Sequence, residues 1–286
     1  MELLVIKLMI LVQQVQHNKN YSLIAQSVEQ STVNAWVRGS SPRQGANIMK
    51  NLKLEISIDN QPFSIEWSDP ETFWTLTTLQ KRLSDKVSVE RFFTRSINFL
   101  LEHNIFKKDP DATVLDIGSG IGTVDLFLQQ YTGSTFHLLD KDLNENLEEY
   151  EFYSKDYKFY NDRKCTVDAI ETTKLDFNKF ALLDPESELI TYDVITSYGS
   201  WCWHYPLEVY WNKVKNNLKS NGKLYLDIST YAMANNPNLI KIISEWYNCE
   251  PVISRYTRDH RTSDPDLLWK DGSYGFNAIW TNLRDN

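Results

Sequence analysis

The sequence predicts an α/β fold built around a seven-stranded, mostly parallel sheet. Three observations favour it. Five apolar, strand-like runs alternate with helical stretches, a glycine-rich segment lies between the first run and its helix, and two later runs can pair as a terminal hairpin. Alternating strands and helices are joined by right-handed crossovers into a parallel sheet, whose ligands bind at the carboxyl ends of the strands.

The elements of this sheet follow from the periodicity of apolar residues along the chain. The strand-like runs lie at residues 113–117, 135–139, 180–183, 192–197 and 223–229. The helical stretches lie at residues 123–131, 165–175, 207–218 and 237–247. The two remaining runs, expected to form a terminal antiparallel hairpin, lie at residues 252–258 and 274–283.

An N-terminal cap is predicted in front of the sheet. Residues 52–65 alternate apolar and polar side chains around a central Asp-Asn pair, which indicates a short hairpin. Residues 73–83 and 89–103 carry apolar side chains at helical spacing. We therefore expect a hairpin and helical cap over residues 49–110 and a ligand-binding domain over residues 111–286.

The first 48 residues are not expected to belong to this fold. Residues 22–46 have neither helical nor strand periodicity. Their sequence, which includes GSSP at 39–42, resembles the conceptual translation of a transfer-RNA gene. We expect the protein to begin at Met49 and residues 1–48 to be a spurious leader, the alternative being a genuine disordered leader.

Composition narrows the classes of function. The net charge of −8 argues against binding to duplex nucleic acid, because phosphate neutralisation needs a basic face. The apolar run at residues 3–12 is about half the length of a membrane helix, so no membrane association is expected. Cys165, Cys202 and Cys249 form no CxxC pattern. Their spacing argues against a metal site and a disulfide scaffold, and it favours a reducing, cytoplasmic location.

The strongest candidate for a binding site is the segment VLDIGSGIG at residues 114–122. An apolar strand ends near Asp116, and a helix follows the last glycine. Glycines in such a turn permit tight backbone conformations and let a ligand lie against bare backbone. The dinucleotide fingerprint GxGxxG requires a further glycine at position 123, which is Thr123. The alternative is a glycine turn that only packs the strand against the helix.

The pattern DxGxGxG resembles motif I of the class I methyltransferases that use S-adenosylmethionine (SAM). The resemblance implies a Rossmann-like class I methyltransferase fold, and it implies SAM as the cofactor. In that family this loop wraps the methionine part of SAM, and the strand-end carboxylate faces the ammonium side. The cofactor contacts implied here are Asp116, Gly118, Ser119, Gly120 and Gly122.

Two later strand ends supply further candidate cofactor contacts. Asp140 ends the second strand, where a carboxylate can accept hydrogen bonds from both ribose hydroxyls; the alternative is an exposed turn aspartate. Lys141 follows it and is either a cofactor contact or solvated. Near the adenine amine we prefer Asp184 to Asp176, because residues 165–175 are better explained as a helix.

The segment after the fourth strand supplies candidates on the acceptor side. Residues 192–211 resemble motif IV and the following loop of the same family, with Ser197 and Tyr198 as implied cofactor contacts. The segment lacks the (D/N)PP(Y/F) pattern of amino-directed enzymes and the Pro-Cys pair of cytosine C5 enzymes. Its SWxxHYP pattern resembles small-molecule methyltransferases, including sugar O-methyltransferases.

His204 is the candidate catalytic base of this segment. It is the only histidine in a predicted substrate loop, and imidazole titrates near neutral pH. The alternative is that His204 only packs between Trp203 and Tyr205. Trp201, Trp203 and Tyr205 either stack on a sugar or aromatic acceptor or belong to the core. Asp227, in the fifth strand, either orients an acceptor hydroxyl or is structural.

These features predict SAM-dependent methyl transfer to a small-molecule acceptor at a hydroxyl oxygen, the acceptor being sugar-like or another metabolite. Two other readings stay open. One is a SAM-binding protein that transfers no methyl group, and the other is an NAD-linked oxidoreductase. No metal and no nucleic-acid partner are expected.

Overall fold

The fold is described by a computed structural model for residues 51–74, 86–141, 162–203, 205–256 and 275–281. The expected start at Met49, the leader before it and the candidate base His204 lie outside these residues. The predicted helix at 73–83 lies mostly outside them as well.

The cap begins with the predicted hairpin. Strand β1 (Leu52–Ile58) pairs antiparallel with β2 (Gln61–Trp67) along their whole length. The turn residues Asp59 and Asn60 have φ of 49° and 61°. Positive φ at both central residues is typical of a type I′ turn, whose twist matches the strands of a hairpin. Helix α1 (Lys86–Glu102) follows the hairpin and packs against β1.

The central sheet has the seven strands that the sequence predicts. They are β3 (Thr113–Ile117), β4 (Thr135–Leu139), β5 (Phe180–Leu183), β6 (Tyr192–Ser197), β7 (Leu218–Ser229), β8 (Val252–Tyr256) and β9 (Gly275–Thr281). Their order in the sheet is β5-β4-β3-β6-β7-β9-β8. Strand β9 runs antiparallel to both of its neighbours, and the pairs from β5 to β7 are parallel.

Among the described residues, all but one of the α-helices that follow β3 lie close to their predicted positions. The helices that follow β3 are α2 (Thr123–Thr132), α3 (Arg163–Thr173), α4 (Glu208–Asn217), α5 (Thr230–Asn235) and α6 (Leu239–Tyr247). Helix α5 was not predicted. It begins directly after β7, where the Ser229 side chain accepts a hydrogen bond from the Ala232 backbone N–H. A serine at this position satisfies a donor of the first helical turn and so favours a helix start.

The sheet is buried on both faces. Val114, Phe136 and Val194 belong to a hydrophobic cluster that also contains residues of the hairpin, α1, α2 and α3. Leu115, Ile195 and other alternate residues belong to a second cluster, with residues of α4, α5 and α6. Successive strand residues point to opposite faces, so continuous apolar strands fill both layers.

Counted from β3, the strand order is 3-2-1-4-5-7-6. The doubly wound dinucleotide-binding sheet has the order 3-2-1-4-5-6. The extra antiparallel strand between the fifth and sixth positions matches the Rossmann-like class I methyltransferase fold predicted from the sequence. Within the described ranges, no helix is long and apolar enough to cross a membrane.

Candidate cofactor-binding site

Residues 118–122, named here the glycine loop, connect β3 to α2 at the carboxyl edge of the sheet. Gly118, Gly120 and Gly122 have φ of 73°, 58° and 65°. Side chains with a Cβ rarely adopt these values, so the repeated glycines match the backbone that the loop adopts. The loop is fixed to the neighbouring strand because the Gly118 N–H donates to the Leu139 carbonyl at 2.7 Å.

A neighbouring loop lies directly on Gly118. A Cβ added to Gly118 would lie 1.8 Å from Ser200 Oγ and 2.2 Å from Ser200 Cβ. Ser200 belongs to the segment after β6 and was not predicted as a site residue. No local pattern distinguishes Ser200 from Ser197 or Ser119; its role depends on how two loops meet in space.

Asp140 contacts the glycine loop. Its Oδ2 accepts a hydrogen bond from the Gly120 N–H at 2.7 Å, and its Oδ1 accepts one from the Lys141 N–H at 2.7 Å. The structure therefore brings together the two motifs that lie twenty residues apart. Backbone donors and a carboxylate meet at one edge of the sheet, between β3 and β4.

The next position along this edge is Asp184, which directly follows β5. Its carboxylate forms an ion pair with Arg163 of α3, and Arg163 also donates to the Asp140 carbonyl at 3.3 Å. Asp176 lies at the other end of β5, where its side chain accepts a hydrogen bond from the Asn178 N–H. Of the two carboxylates considered from the sequence, Asp184 is therefore the one at the carboxyl edge. Arg163 was not predicted, because nothing in its local sequence indicates a partner 21 residues away.

Asp116 is buried below the glycine loop, with 1% of its surface exposed. Its Oδ1 accepts a hydrogen bond from Thr196 Oγ1 at 3.0 Å. Burial, together with the nearby charge of Asp125 in α2, raises the pKa of Asp116 well above its ordinary value. Asp125 is equally buried, and burial raises its pKa to about 7. Asp125 was missed from the sequence because an aspartate in a first helical turn is ordinary.

The two residues at the end of β6 have different surroundings. Ser197 is fully buried; its Oγ donates to the Ile117 carbonyl at 2.7 Å and accepts from the Trp201 N–H at 2.8 Å. The Ser197 side chain thus ties β6 to β3 and to the following loop. Tyr198 packs its ring against Tyr225 with a centroid distance of 5.3 Å. Its hydroxyl is buried and has no hydrogen-bond partner among the described residues.

The loop after β6 is folded tightly into the protein. Trp201 and Trp203 are buried, and Trp201 Nε1 donates to the Leu207 carbonyl at 3.0 Å. Cys202 is buried with a φ of 60°. Of the two roles considered for the tryptophans, core packing is therefore the one observed. Tyr205 is only partly buried.

A polar network lies farther along the sheet. Tyr225 Oη donates to Asp227 Oδ1 at 2.7 Å, and Asn277 Nδ2 donates to Tyr225 Oη at 2.5 Å and also to Asp227 Oδ1. All three side chains are buried.

Across the part of the chain that the structure describes, no three His, Cys, Asp or Glu side chains are arranged to hold a metal ion.

Comparisons with known proteins find a similar fold. No protein-family model and no curated protein sequence matches the chain. Among solved structures, precorrin-6y C5,15-methyltransferase from Geobacter metallireducens is 16% identical with a TM-score of 0.40, covering 66% of this chain and 88% of its own. Geranyl diphosphate C-methyltransferase from Streptomyces coelicolor is 11% identical with a TM-score of 0.45, covering 76% and 85%.

A rRNA methylase from Streptococcus thermophilus is 14% identical with a TM-score of 0.40, covering 67% of this chain and 96% of its own. At these identities the likeness concerns the fold alone. These three proteins are named for different substrates.

Proposed function

We propose that the chain is a SAM-dependent methyltransferase that acts on a hydroxyl group of a small molecule. The observation that carries the proposal is the contact between Asp140 and the glycine loop at the carboxyl edge of the sheet. Ligands of open α/β sheets bind in this position, beside the point where the strand order reverses. In this sheet the strand order reverses between β3 and β6. From β3 the strands continue to β4 and β5 on one side, and from β6 they continue to β7 on the other.

The residues at this edge fit the parts of SAM. The glycine loop offers bare backbone to the methionine part, and Asp140 offers a carboxylate to the ribose hydroxyls. Asp184 is assigned to the adenine side, with Arg163 holding its carboxylate. SAM carries positive charge, which suits the buried carboxyl groups of Asp116 and Asp125.

SAM supplies a methyl group bound to a sulfonium, and transfer by in-line displacement depends mainly on positioning. The protein is therefore required to hold the acceptor and to accept its proton. We assign the base to His204, which directly follows the buried Trp203 in the sequence. An imidazole near its ordinary pKa suits proton removal from a hydroxyl at neutral pH.

The acceptor is proposed to be a small molecule, sugar-like or another metabolite, and not a nucleic acid. The net charge of −8 supports this choice, because nucleic-acid binding requires a basic surface. Cys165, Cys202 and Cys249 form no disulfide, which supports a reducing, cytoplasmic location.

An NAD-linked oxidoreductase is the rival enzyme. Two observations speak against it: Thr123 stands where the fingerprint needs glycine, and β9 interrupts the strand order of dinucleotide-binding sheets. Titration calorimetry with SAM and with NAD tests the proposal directly. We expect SAM to bind and NAD not to bind, and tighter binding of NAD would refute the assignment.

Methyl transfer itself needs a second experiment. The full chain is incubated with SAM labelled in its methyl group and with a fractionated metabolite extract, and products are identified by mass spectrometry. We expect the label in a small molecule, on oxygen. Label in RNA that is supplied in a parallel reaction would contradict the proposed acceptor class. SAM binding without any labelled product would favour a SAM-binding protein that transfers no methyl group.

A further inference from the structure

Two buried carboxyl groups lie side by side below the glycine loop. Asp116 is the penultimate residue of β3 and Asp125 lies in the first turn of α2, and each is 1% exposed. Asp116 accepts a hydrogen bond from Thr196, whereas neither carboxylate oxygen of Asp125 has a hydrogen-bond partner in the described part of the chain. Among those same residues, no basic side chain forms an ion pair with either.

Other polar groups without partners lie around this pair. The buried hydroxyl of Thr123, at the start of α2, has no described partner, and neither has the hydroxyl of Tyr198. Tyr198 faces both carboxyl groups: burial raises its pKa, and the charges of Asp125 and Asp116 raise it further. Unpartnered buried polar atoms are rare in folded proteins, so a group of them indicates that a water, an ion, a ligand or a bound proton completes the site.

The charged neighbours of the pair are also acidic. Asp140 approaches from β4 and adds to the upward shift in the pKa of Asp116, after burial and Asp125. Asp227 approaches from β7 and acts on Tyr198. Two adjacent carboxyl groups out of water cannot both be ionised without a compensating positive charge. In the ligand-free protein, a proton bound to one of the two carboxyl groups removes one of the negative charges and so satisfies this requirement.

We propose that Asp116 and Asp125 form a cation-receiving subsite, in which the pair holds a proton in the ligand-free protein and releases it when the positively charged amino-acid part of SAM binds at the glycine loop. This inference rests on the proposed function and adds Asp125 to the binding machinery. On release, a carboxylic O–H bond breaks and the proton passes to the buffer. The carboxylate that remains is compensated by the charge of SAM.

The sign of the pH dependence follows from linkage. Burial raises the pKa of Asp125 to about 7 in the ligand-free protein, and a nearby cation lowers it again. Below the ligand-free value, binding must expel a proton, so SAM binds more weakly as the pH falls. For a ligand-free pKa of about 7 we expect Kd to rise about eightfold between about pH 7.5 and pH 6. The range stops near pH 7.5 because α-amino groups titrate at about pH 8.

The experiment measures proton release on the wild-type chain. SAM is titrated calorimetrically at about pH 6.5 in two buffers that differ in ionisation enthalpy, and we expect release of about 0.8 proton per SAM bound. 5′-Methylthioadenosine, which lacks the amino-acid part and the positive charge, is the matched ligand. It should bind without proton release and with a Kd that does not depend on pH. Equal release with both ligands would overturn the proposal.

A variant then assigns the proton to the pair. Asp125→Asn keeps the shape of the side chain but removes one of the two titrating carboxyl groups, so proton release and the pH dependence of Kd should both decrease relative to the wild type. His204 is unchanged in this variant, so release equal to that of the wild type would overturn the role of Asp125. Glu245→Gln, which removes an exposed carboxylate of α6, should behave as the wild type.

The outcomes separate this inference from the proposed function. If SAM binds with a pH-independent Kd and no proton release, the subsite is refuted while the proposed function stands. If SAM does not bind at any pH tested, both are refuted. If Asp125→Asn does not fold, the comparison of SAM with 5′-methylthioadenosine on the wild type still decides.

Discussion

At the scale of single residues, Gly118 is constrained from two directions. Its φ of 73° disfavours any side chain, and Ser200 occupies the space into which a Cβ would point. A substitution at Gly118 therefore acts first on the contact between two loops of the protein and only then on a ligand. Loss of SAM binding in a Gly118 variant is not by itself evidence of a ligand contact.

We expect Gly118→Ala to lower the free energy of unfolding by about 3 kcal/mol or more. About 1–2 kcal/mol of this comes from the left-handed backbone and the remainder from the clash with Ser200. Ser200→Gly in the same chain removes the clash, whereas Ser200→Ala keeps the Cβ that lies 2.2 Å away. Denaturant unfolding of the single and double variants should show a coupling of about 1 kcal/mol or more. Additive effects would contradict the contact.

Asp140→Ala tests the assignment of the ribose. Removing a charged hydrogen-bond acceptor should weaken SAM binding by about 1.5–3 kcal/mol, measured by calorimetry. Asp176→Ala, at the opposite end of β5, removes an equivalent carboxylate and should leave the affinity unchanged. A similar loss of affinity in both variants would indicate that SAM binding depends on the overall negative charge of the protein and not on a contact between Asp140 and the ribose.

His204→Asn tests the assigned base. We expect kcat to fall about 10²–10⁴-fold while SAM affinity and the melting temperature stay close to those of the wild type. The wild-type rate should rise with pH through the imidazole pKa, and the variant should lose this rise. If His204 only packs beside Trp203, the variant should instead melt at a lower temperature, with kcat per folded molecule within a few-fold of normal.

At the scale of elements, the strands were the easiest part to predict. β3, β4, β5 and β6 have the predicted bounds, because strands buried on both faces are short, continuous apolar runs. Strand β7 begins five residues earlier than residue 223, the predicted start. Its first residues include Lys219, Ser220 and Asn221, whose polar side chains gave no strand signal. Leu218 pairs with Tyr192 across a register shift, which only the folded sheet defines.

The residues of the candidate site divide in the same way, into those that a local sequence pattern identifies and those whose role depends on contacts between elements. The glycine loop and Asp140 could be found because each is a local pattern at a strand end. Asp125, Arg163 and Ser200 could not, because their partners come from other elements. Ser197 was expected from its position and proved to bond within the protein. Sequence position identifies a strand end, but the direction of each side chain depends on packing.

Helix α3 offers a prediction about its end. Lys174 has a φ of 61°, its N–H donates to the Glu171 carbonyl, and the Leu175 N–H donates to the Ile170 carbonyl. This pair of bonds is a Schellman motif, in which glycine is the favoured residue. Lys174→Gly should therefore raise the free energy of unfolding by about 0.5–1 kcal/mol in a denaturant titration. Lys174→Ala should give no gain, and a gain with alanine would contradict this explanation.

At the scale of the whole molecule, the cap and the sheet share one hydrophobic cluster. Ile65 and Trp67 of the hairpin and Ile97 of α1 belong to the same cluster as Phe127 and Phe136. The hairpin is also held by polar contacts, since Gln130 Nε2 of α2 donates to the Ser64 carbonyl at 2.9 Å. The cap thus covers a face of the sheet that would otherwise be apolar surface.

Two shortened chains test this organisation. A chain that begins at Met49 should unfold within about 1 kcal/mol of the full chain and should bind SAM equally well, since residues 22–46 carry no packing pattern. A chain that begins at residue 111 should show no cooperative thermal transition, because it exposes the shared cluster. Both are measured by calorimetry. A cooperative transition in the shorter chain would mean that the sheet folds without its cap.

The position of β9 has a consequence for the order in which the sheet assembles. Strand β8 precedes β9 in the chain, yet its described sheet neighbour is β9, which lies between β8 and β7. The parallel core from β5 to β7 can form from earlier residues, whereas β8 must wait until β9 has been synthesised and paired. During synthesis on the ribosome, β8, which contains Val252 and Ile253, therefore has no neighbouring strand to pair with until β9 emerges. Unpaired apolar strands are prone to aggregate. This side of the sheet is where slow folding and chaperone binding are expected to concentrate.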